Sequence, residues 1–160
     1  MATTYRQTRN IEASLIDFLT THFDEDWSNV NVEKGFARVY DIDLPVVAVR
    51  VNTTSHDKAE LGGDSTVREV QVLIDVFCTS DGQKEDFCDY IVSKIKAGIP
   101  YYNYVINNGV VQSKTQDGRL RFTSIEVSPI DFDTEKSKLS LHDRYRALIT
   151  LSASRGKIEN

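Results

Sequence analysis

Residues Val67 to Ile99 read VREVQVLIDVFCTSDGQKEDFCDYIVSKIKAGI, and this stretch decides the fold. Val70, Val72, Ile74, Val76 and Cys78 lie two apart, the period that sets side chains on one face of a β-strand. Gln71, Leu73, Asp75 and Phe77 share the other, mixed face. Ser80 stands three residues before Gln83, the spacing of a capping box, in which each side chain takes an orphan backbone N–H at a helix start. Phe87, Cys88, Ile91, Val92 and Ile95 then recur at helical spacing. Gly98 and Pro100 stop the helix. A strand, a cap and an amphipathic helix follow one another with no linker between them.

Upstream, Ile11, Leu15, Phe18, Leu19 and Phe23 predict a first helix, with Thr4 and Gln7 at capping-box spacing. Asn10, Glu12, Asp17 and Thr21 take its polar side. It fades at Asp24-Glu25-Asp26, where acids meet an unfavourable dipole, and Trp27 packs the exit onto the core. Val30 to Tyr40 reads as a weak strand broken at Gly35. Leu44 to Asn52 (LPVVAVRVN) reads as a strong one, with Pro45 at its start, where a missing N–H matters least. Thr53 to Thr66 then reads as a long polar loop, of a length that is often functional or mobile.

Downstream, Tyr101, Tyr102 and Tyr104 open an irregular stretch. Asn107-Asn108-Gly109 marks a hairpin turn and Asp117-Gly118 a second turn. Leu120 to Val127 reads as a strand ended by Pro129, and Asp131 to Lys138 as a charged loop. Leu141 to Ser154 closes the domain with Tyr145, Ala147, Ile149, Leu151 and Ala153 on one face. The predicted class is α+β: a mostly antiparallel sheet with two main helices packed on one face. The chain reads as one domain over 1–160, with frayed ends at about 1–4 and 155–160.

Forty per cent apolar content with charges of both signs describes a folded globule of 160 residues, long enough for a real core. The net charge of −5 disfavours a protein that grips nucleic acid, but does not exclude one that lets DNA slide past. Cys78 and Cys88 read as small buried apolar residues. No apolar run approaches the roughly 18 residues of a membrane span, and the first residues show no signal-peptide pattern.

Reactive constellations are sparse. His22, His56 and His142 share no metal-ligand spacing. Asp41 and Asp43, like Asp131 and Asp133, lie two apart, which a divalent cation can use, although Asp beside Pro45 or Pro129 also simply suits a turn. Glu69, Asp75 and Lys84 sketch a metal-dependent nuclease. Six residues apart on a strand, however, the two acids sit roughly 20 Å from each other, too far for one metal. There is no nucleophile elbow and no phosphate cradle. Arg119, Arg121, Arg144 and Arg146 alternate along strands. They read as a basic stripe or, preferably, as a solvated face neutralised by Asp131, Asp133, Glu135 and Asp143.

The order of elements carries a resemblance. A leading helix (IEASLIDFL) precedes an LPVVAVRV strand and a Glu60-Leu61-Gly62 loop; then come VLIDVFCTSDGQKEDFCDYIVSKI and a late strand HDRYRALITLS. From about Tyr5 to Ser154 this resembles the tail terminator, or tail completion, proteins that join head and tail in long-tailed bacteriophages. The resemblance implies a non-enzymatic structural protein without cofactor, located in the virion and assembled in the host cytoplasm. It implies a homo-oligomeric ring, expected to be a hexamer, that caps the tail tube. Its partners would be the tail tube protein and a neck or head-completion protein, with DNA passing through the lumen unbound. A neck stopper or a tube-like subunit is the variant reading within that class. The expected assembly contacts are Lys58, Glu60, Leu61 and Asp64 in the long loop, followed by Tyr101, Tyr102 and Tyr104, because tyrosine brings apolar area with a polar tip.

Overall fold

The computed structural model describes residues 6–159. In it the Val67–Ile99 unit becomes β3 (Thr66–Phe77) and α2 (Asp81–Ile95). Ser80 caps α2: its Oγ accepts from the Gln83 N–H at 3.2 Å. The reciprocal half of the box is shifted by one residue. The Gln83 Oε1 accepts from the N–H of Thr79 at 2.9 Å, and from its hydroxyl at 3.0 Å.

The other elements are α1 (Gln7–Asp26), β1 (Asn31–Lys34), β2 (Val46–Lys58), β4 (Ile99–Asn107), β5 (Val110–Ile130), β6 (Arg146–Ser154) and β7 (Ile158–Glu159). The sheet order is β1-β2-β3-β6-β5-β4, with β7 added against β3. Only the β1–β2 pair is parallel. The fold is α+β, as the alternation and helical spacing predict. The first helix has its predicted apolar stripe, while the Thr4 cap lies outside the described residues; Arg6 precedes the helix without a side-chain cap.

β3 divides the core. Val70, Val72, Ile74, Val76 and Cys78 meet Ile11, Leu15, Leu19 and Phe23 of α1 and Phe87, Ile91 and Ile95 of α2 in one buried cluster. On the opposite face Phe77 joins Val46, Ala48 and Val39 in a smaller cluster, flanked by Phe36, Ile42 and Leu44. Two connections cover that second face. The Tyr40 hydroxyl donates to Asp143 at 2.7 Å, and His142 Nε2 lies 2.7 Å from the Ile42 carbonyl oxygen, tying the β1–β2 loop to the β5–β6 loop.

Several expectations are corrected. The strand over Val30–Tyr40 shrinks to β1, because Gly35 turns the chain at φ +65° and Val39–Asp41 forms a short 3-10 turn. The Thr53–Thr66 loop is the far end of a β-hairpin: β2 and β3 stay paired out to Lys58 and Thr66, leaving only 59–65 as the connection. Tyr101–Tyr104 is regular β4. Asp117-Gly118 is no turn; Gly118, at φ +82°, marks a register irregularity inside β5. Pro129 does not end that strand, since it still stands opposite Ala147 on β6. The strand expected from Leu141 starts at Arg146, after a 3-10 turn over Leu141–Asp143. The C-terminal end is anchored: Arg155 and Lys157 both reach Asp117, at 2.8 and 3.0 Å, and β7 pairs with β3.

The polar side of α1 is another correction. Asn10 and Glu12 are buried, because they serve strand edges. The Glu12 carboxylate accepts the Val51 N–H at 3.3 Å, beside a register shift in β2, and pairs with Lys34 at 3.2 Å. On the other flank Ser14 Oγ accepts the Tyr102 N–H at 3.0 Å and Asn10 Oδ1 that of Tyr104 at 3.5 Å. Two strand edges are thus closed by side chains of one helix, which an amphipathic reading of α1 assigns to solvent.

Removing the cap in Ser80→Ala is expected to cost about 1 kcal/mol in urea unfolding. Hollowing the core in Ile74→Ala should cost about 2–5 kcal/mol. Equal effects of the two would contradict the burial of Ile74 at the centre of β3.

Candidate assembly surfaces

The two hairpins extend past the sheet they grow from. β3 and β5 run in the same direction, since each is antiparallel to β6. β6 reaches only to Val70 on β3 and Arg121 on β5. Beyond those points the β2–β3 and β4–β5 hairpins continue from the same end of the sheet as two arms.

The β2–β3 arm holds Lys58, Glu60, Leu61 and Asp64 at its tip. The Ala59 N–H donates to the Ser65 carbonyl at 2.9 Å and Lys58 Nζ to the Gly63 carbonyl at 3.0 Å, so the tip is a defined turn. Leu61 is fully exposed there. Polar residues such as Thr53, Ser55, His56 and Asp57 occupy this part of β2, which is why the segment carries no apolar alternation to betray it as a strand.

The β4–β5 arm turns at Asn108-Gly109, both at positive φ as the Asn-Gly signal requires. Its residues Val105, Val110 and Val111 are each more than half exposed. From Val110 to Gln116 every β5 side chain is exposed, so the described residues bury neither face of this strand.

The three tyrosines separate. Tyr101 and Tyr104 are buried and belong to the fold rather than to a free surface, a correction of their assignment as contacts. Arg155 lies 4.0 Å from the Tyr101 ring centre, and the Tyr104 hydroxyl donates to Asp17 at 3.1 Å. Burial, then the neighbouring Asp17, pushes the Tyr104 hydroxyl pKa up. Tyr102 stays partly exposed under Lys114, whose ammonium sits 4.6 Å from its ring centre. Ile99 and Tyr101 face the core while Tyr104 is buried against α1, so burial falls on both faces of β4 and hides the strand from a period-two reading.

No group of three or more His, Cys, Asp or Glu with metal-holding geometry occurs among the described residues, the Asp41/Asp43 and Asp131/Asp133 pairs included. Asp75 is engaged elsewhere. It is buried on the second face of β3, 3.1 Å from Arg50 and 3.7 Å from Arg146, with Phe36 against Arg50 and Phe77 against Arg146. The four arginines, weighed as a basic stripe or preferably as a solvated face, form no stripe. Arg119 donates to the Gly98 carbonyl, Arg144 to that of Leu139 and Arg146 to Asp143, while Arg121, opposite Ser154, stands at the far end of the β5–β6 ladder from Arg146. Gly98 itself, at φ +88°, lies so close to β5 that a Cβ would meet the Leu120 carbonyl oxygen at 2.9 Å. No described helix is long and apolar enough to cross a membrane.

Burial lifts the Cys78 thiol to about 12 and that of Cys88 to about 11. Both should resist a thiol reagent such as DTNB in the native state at neutral pH and react fully in urea; a fast native reaction would show that α2 opens. Burial also holds the Asp75 carboxyl above the usual carboxylate range, against the pull of Arg50 and Arg146. The folded protein therefore binds this proton more tightly than the unfolded chain does. The stability contributed by Asp75 is present below the unfolded value, near pH 4, and falls as pH rises through the raised folded value. Urea midpoints of Asp75→Asn between about pH 4 and about pH 7 should lack that decline. Parallel profiles for the two proteins would place the titration elsewhere.

No known protein-family model matches the chain, and no curated protein matches its sequence.

Proposed function

We propose that the protein is a structural assembly subunit of the kind its element order resembles, a phage tail terminator that forms a ring on the tail tube and joins it to the neck. The observation that carries this reading is the pair of arms leaving one end of the sheet. A two-stranded hairpin has little stability of its own in water, and apolar residues on such a hairpin gain when a neighbour covers them. Leu61, Val105, Val110 and Val111 are such residues, and they all lie on the two arms.

The open part of the second sheet face supports the same reading. Thr53, Ser55, Gln71 and Ser152 surround a shallow depression there together with Glu69. Short hydroxyls and a carboxylate offer phosphate backbones little attraction, which suits a surface past which DNA must move. The resemblance supplies the remaining terms: a hexameric ring, a tail tube protein below and a neck or head-completion protein above.

Light scattering and negative-stain imaging of the pure protein, alone and mixed with tail tubes, test the proposal. Closed rings in solution or on tube ends are expected. A protein that stays monomeric and never decorates tube ends would sink it. Replacing Glu60–Asp64 by an Asn-Gly turn keeps the Ala59–Ser65 closing pair. It should change the unfolding free energy by no more than about 0.5 kcal/mol while reducing attachment to tubes. Normal attachment by the shortened protein would remove the tip from the assembly surface.

A further inference from the structure

β5 changes partners at its middle. Up to Leu120 it pairs with β4, and from Arg121 to Ile130 it pairs with β6 on its other side. Beyond Leu120 the edge that faced β4 has no strand partner among the described residues. By register, Val127 and Pro129 point to the same face as Ile149 and Ala147, the face covered by helices. Yet α2 stops short of them, and Val127 is 43% exposed. A groove of about 600 Å³ lies there, with the flank of α2 as one wall and Val127 and Pro129 on the other side. An unpaired strand edge beside a helix is the arrangement in which an extended peptide adds to a sheet. The backbone edge supplies hydrogen bonds and the groove receives alternate side chains.

Charge selects the occupant. The two lysines of the groove are already used: Lys84 pairs with Asp81 at 3.2 Å, and Lys136 donates to the Arg144 carbonyl at 2.6 Å. Glu85, Asp89 and Asp131 line the same groove and form no ion pair among the described residues. On the other face of β5, Glu126 is exposed as well. The arms of a second copy fit this rim poorly. The β2–β3 arm brings Asp57, Glu60 and Asp64 against one lysine, and the Lys114 of the β4–β5 arm is held by Asp17.

We infer that the groove between α2 and the free edge of β5 binds an extended basic segment of another protein, in which apolar side chains alternate with lysine or arginine. Docked as an added strand, about 4.8 Å from β5, that segment turns its lysine or arginine side chains to the groove, where their methylene stems lie over Val127 and Pro129. Their charges reach Glu85, Asp89 and Asp131 around the groove, and the alternate apolar positions stand on the other face of the sheet. The site stands independently of the ring: rings without peptide binding defeat only the groove, and peptide binding without rings defeats only the terminator reading.

The probe is the labelled peptide KVKVKVK, blocked at both ends, titrated into the full chain by fluorescence polarisation. Backbone amide NMR locates the contact. Saturable binding is expected, with shifts concentrated on Thr123–Ile130 and the first turns of α2. The same peptide with proline in place of valine keeps its charge but loses strand donors, and should bind about tenfold more weakly or worse. The double variant Glu85→Lys, Asp89→Lys should weaken KVKVKVK by a similar factor while leaving the urea midpoint in place, because both side chains are exposed. Equal affinity for the proline peptide would reduce the effect to net charge and overturn the inference, as would shifts confined to the arms. Protection of Thr123–Ile130 by self-association without peptide would give the groove to a second copy and overturn it too.

Discussion

The rest of the structure depends on the register of β3. It pairs with β2 on one side and β6 on the other, so its alternation decides which face every neighbouring residue takes. A slip of one residue against either neighbour would turn Gln71, Leu73 and Asp75 toward α1 and α2, and Ile74 and Val76 toward the loops. The cost falls most heavily on Asp75. On its own face two guanidiniums meet it; in the helical cluster it would be a carboxylate among Leu15, Phe87 and Ile91 with nothing to pair with. Asp75 thus contributes less to net stability, given its raised pKa, than to the choice of register. Apolar alternation alone would tolerate a slip more easily than a buried charge does.

α1 completes what β3 begins, by satisfying backbone rather than by burying area alone. Its apolar stripe fills the core while its flanks carry Glu12 to β2 and Ser14 and Asn10 to β4. The β4 edge is thereby closed by a helix. Beyond Leu120, where β4 gives way to the exit from α2, an edge of β5 remains without a strand partner among the described residues. The free edge of β5 follows from this geometry: α2 must lie over β3 and β6 to bury Phe87 and Ile91, and a helix in that position leaves Val127 uncovered.

Legibility in the sequence followed burial. The β3–α2 unit, the α1 stripe, the start of β2 and the inward face of β6 are clear because one face of each is apolar and the other is not. The outer half of β2 is invisible because neither face is buried, so TTSHDK carries no period. β4 is obscured for the opposite reason: both its faces are partly covered, with Ile99 and Tyr101 in the core and Tyr104 against α1. Asp117-Gly118 misleads because glycine at positive φ serves a bend within a strand as well as a hairpin turn. For the candidate surfaces, the tip residues Lys58 to Asp64 are exposed as their composition suggests. The tyrosines are divided by tertiary packing that no local pattern announces: Tyr101 enters the core, Tyr104 is buried against α1 and Tyr102 stays partly exposed.

Exposed strand edges are hazards in a free monomer, and this chain treats its edges differently. The edge of β4 is capped by side chains, the first half of β2's edge is shielded by β1 and Glu12, and the start of β3 is covered by β7. The second half of β5 has none of these devices. It has instead a ring of carboxylates, Glu85, Asp89, Glu126 and Asp131, around a short apolar strip. Like charge on two copies opposes edge-to-edge pairing of the protein with itself, while a basic strand removes that opposition on arrival. The same carboxylates that keep the free edge from aggregating therefore also define what it accepts.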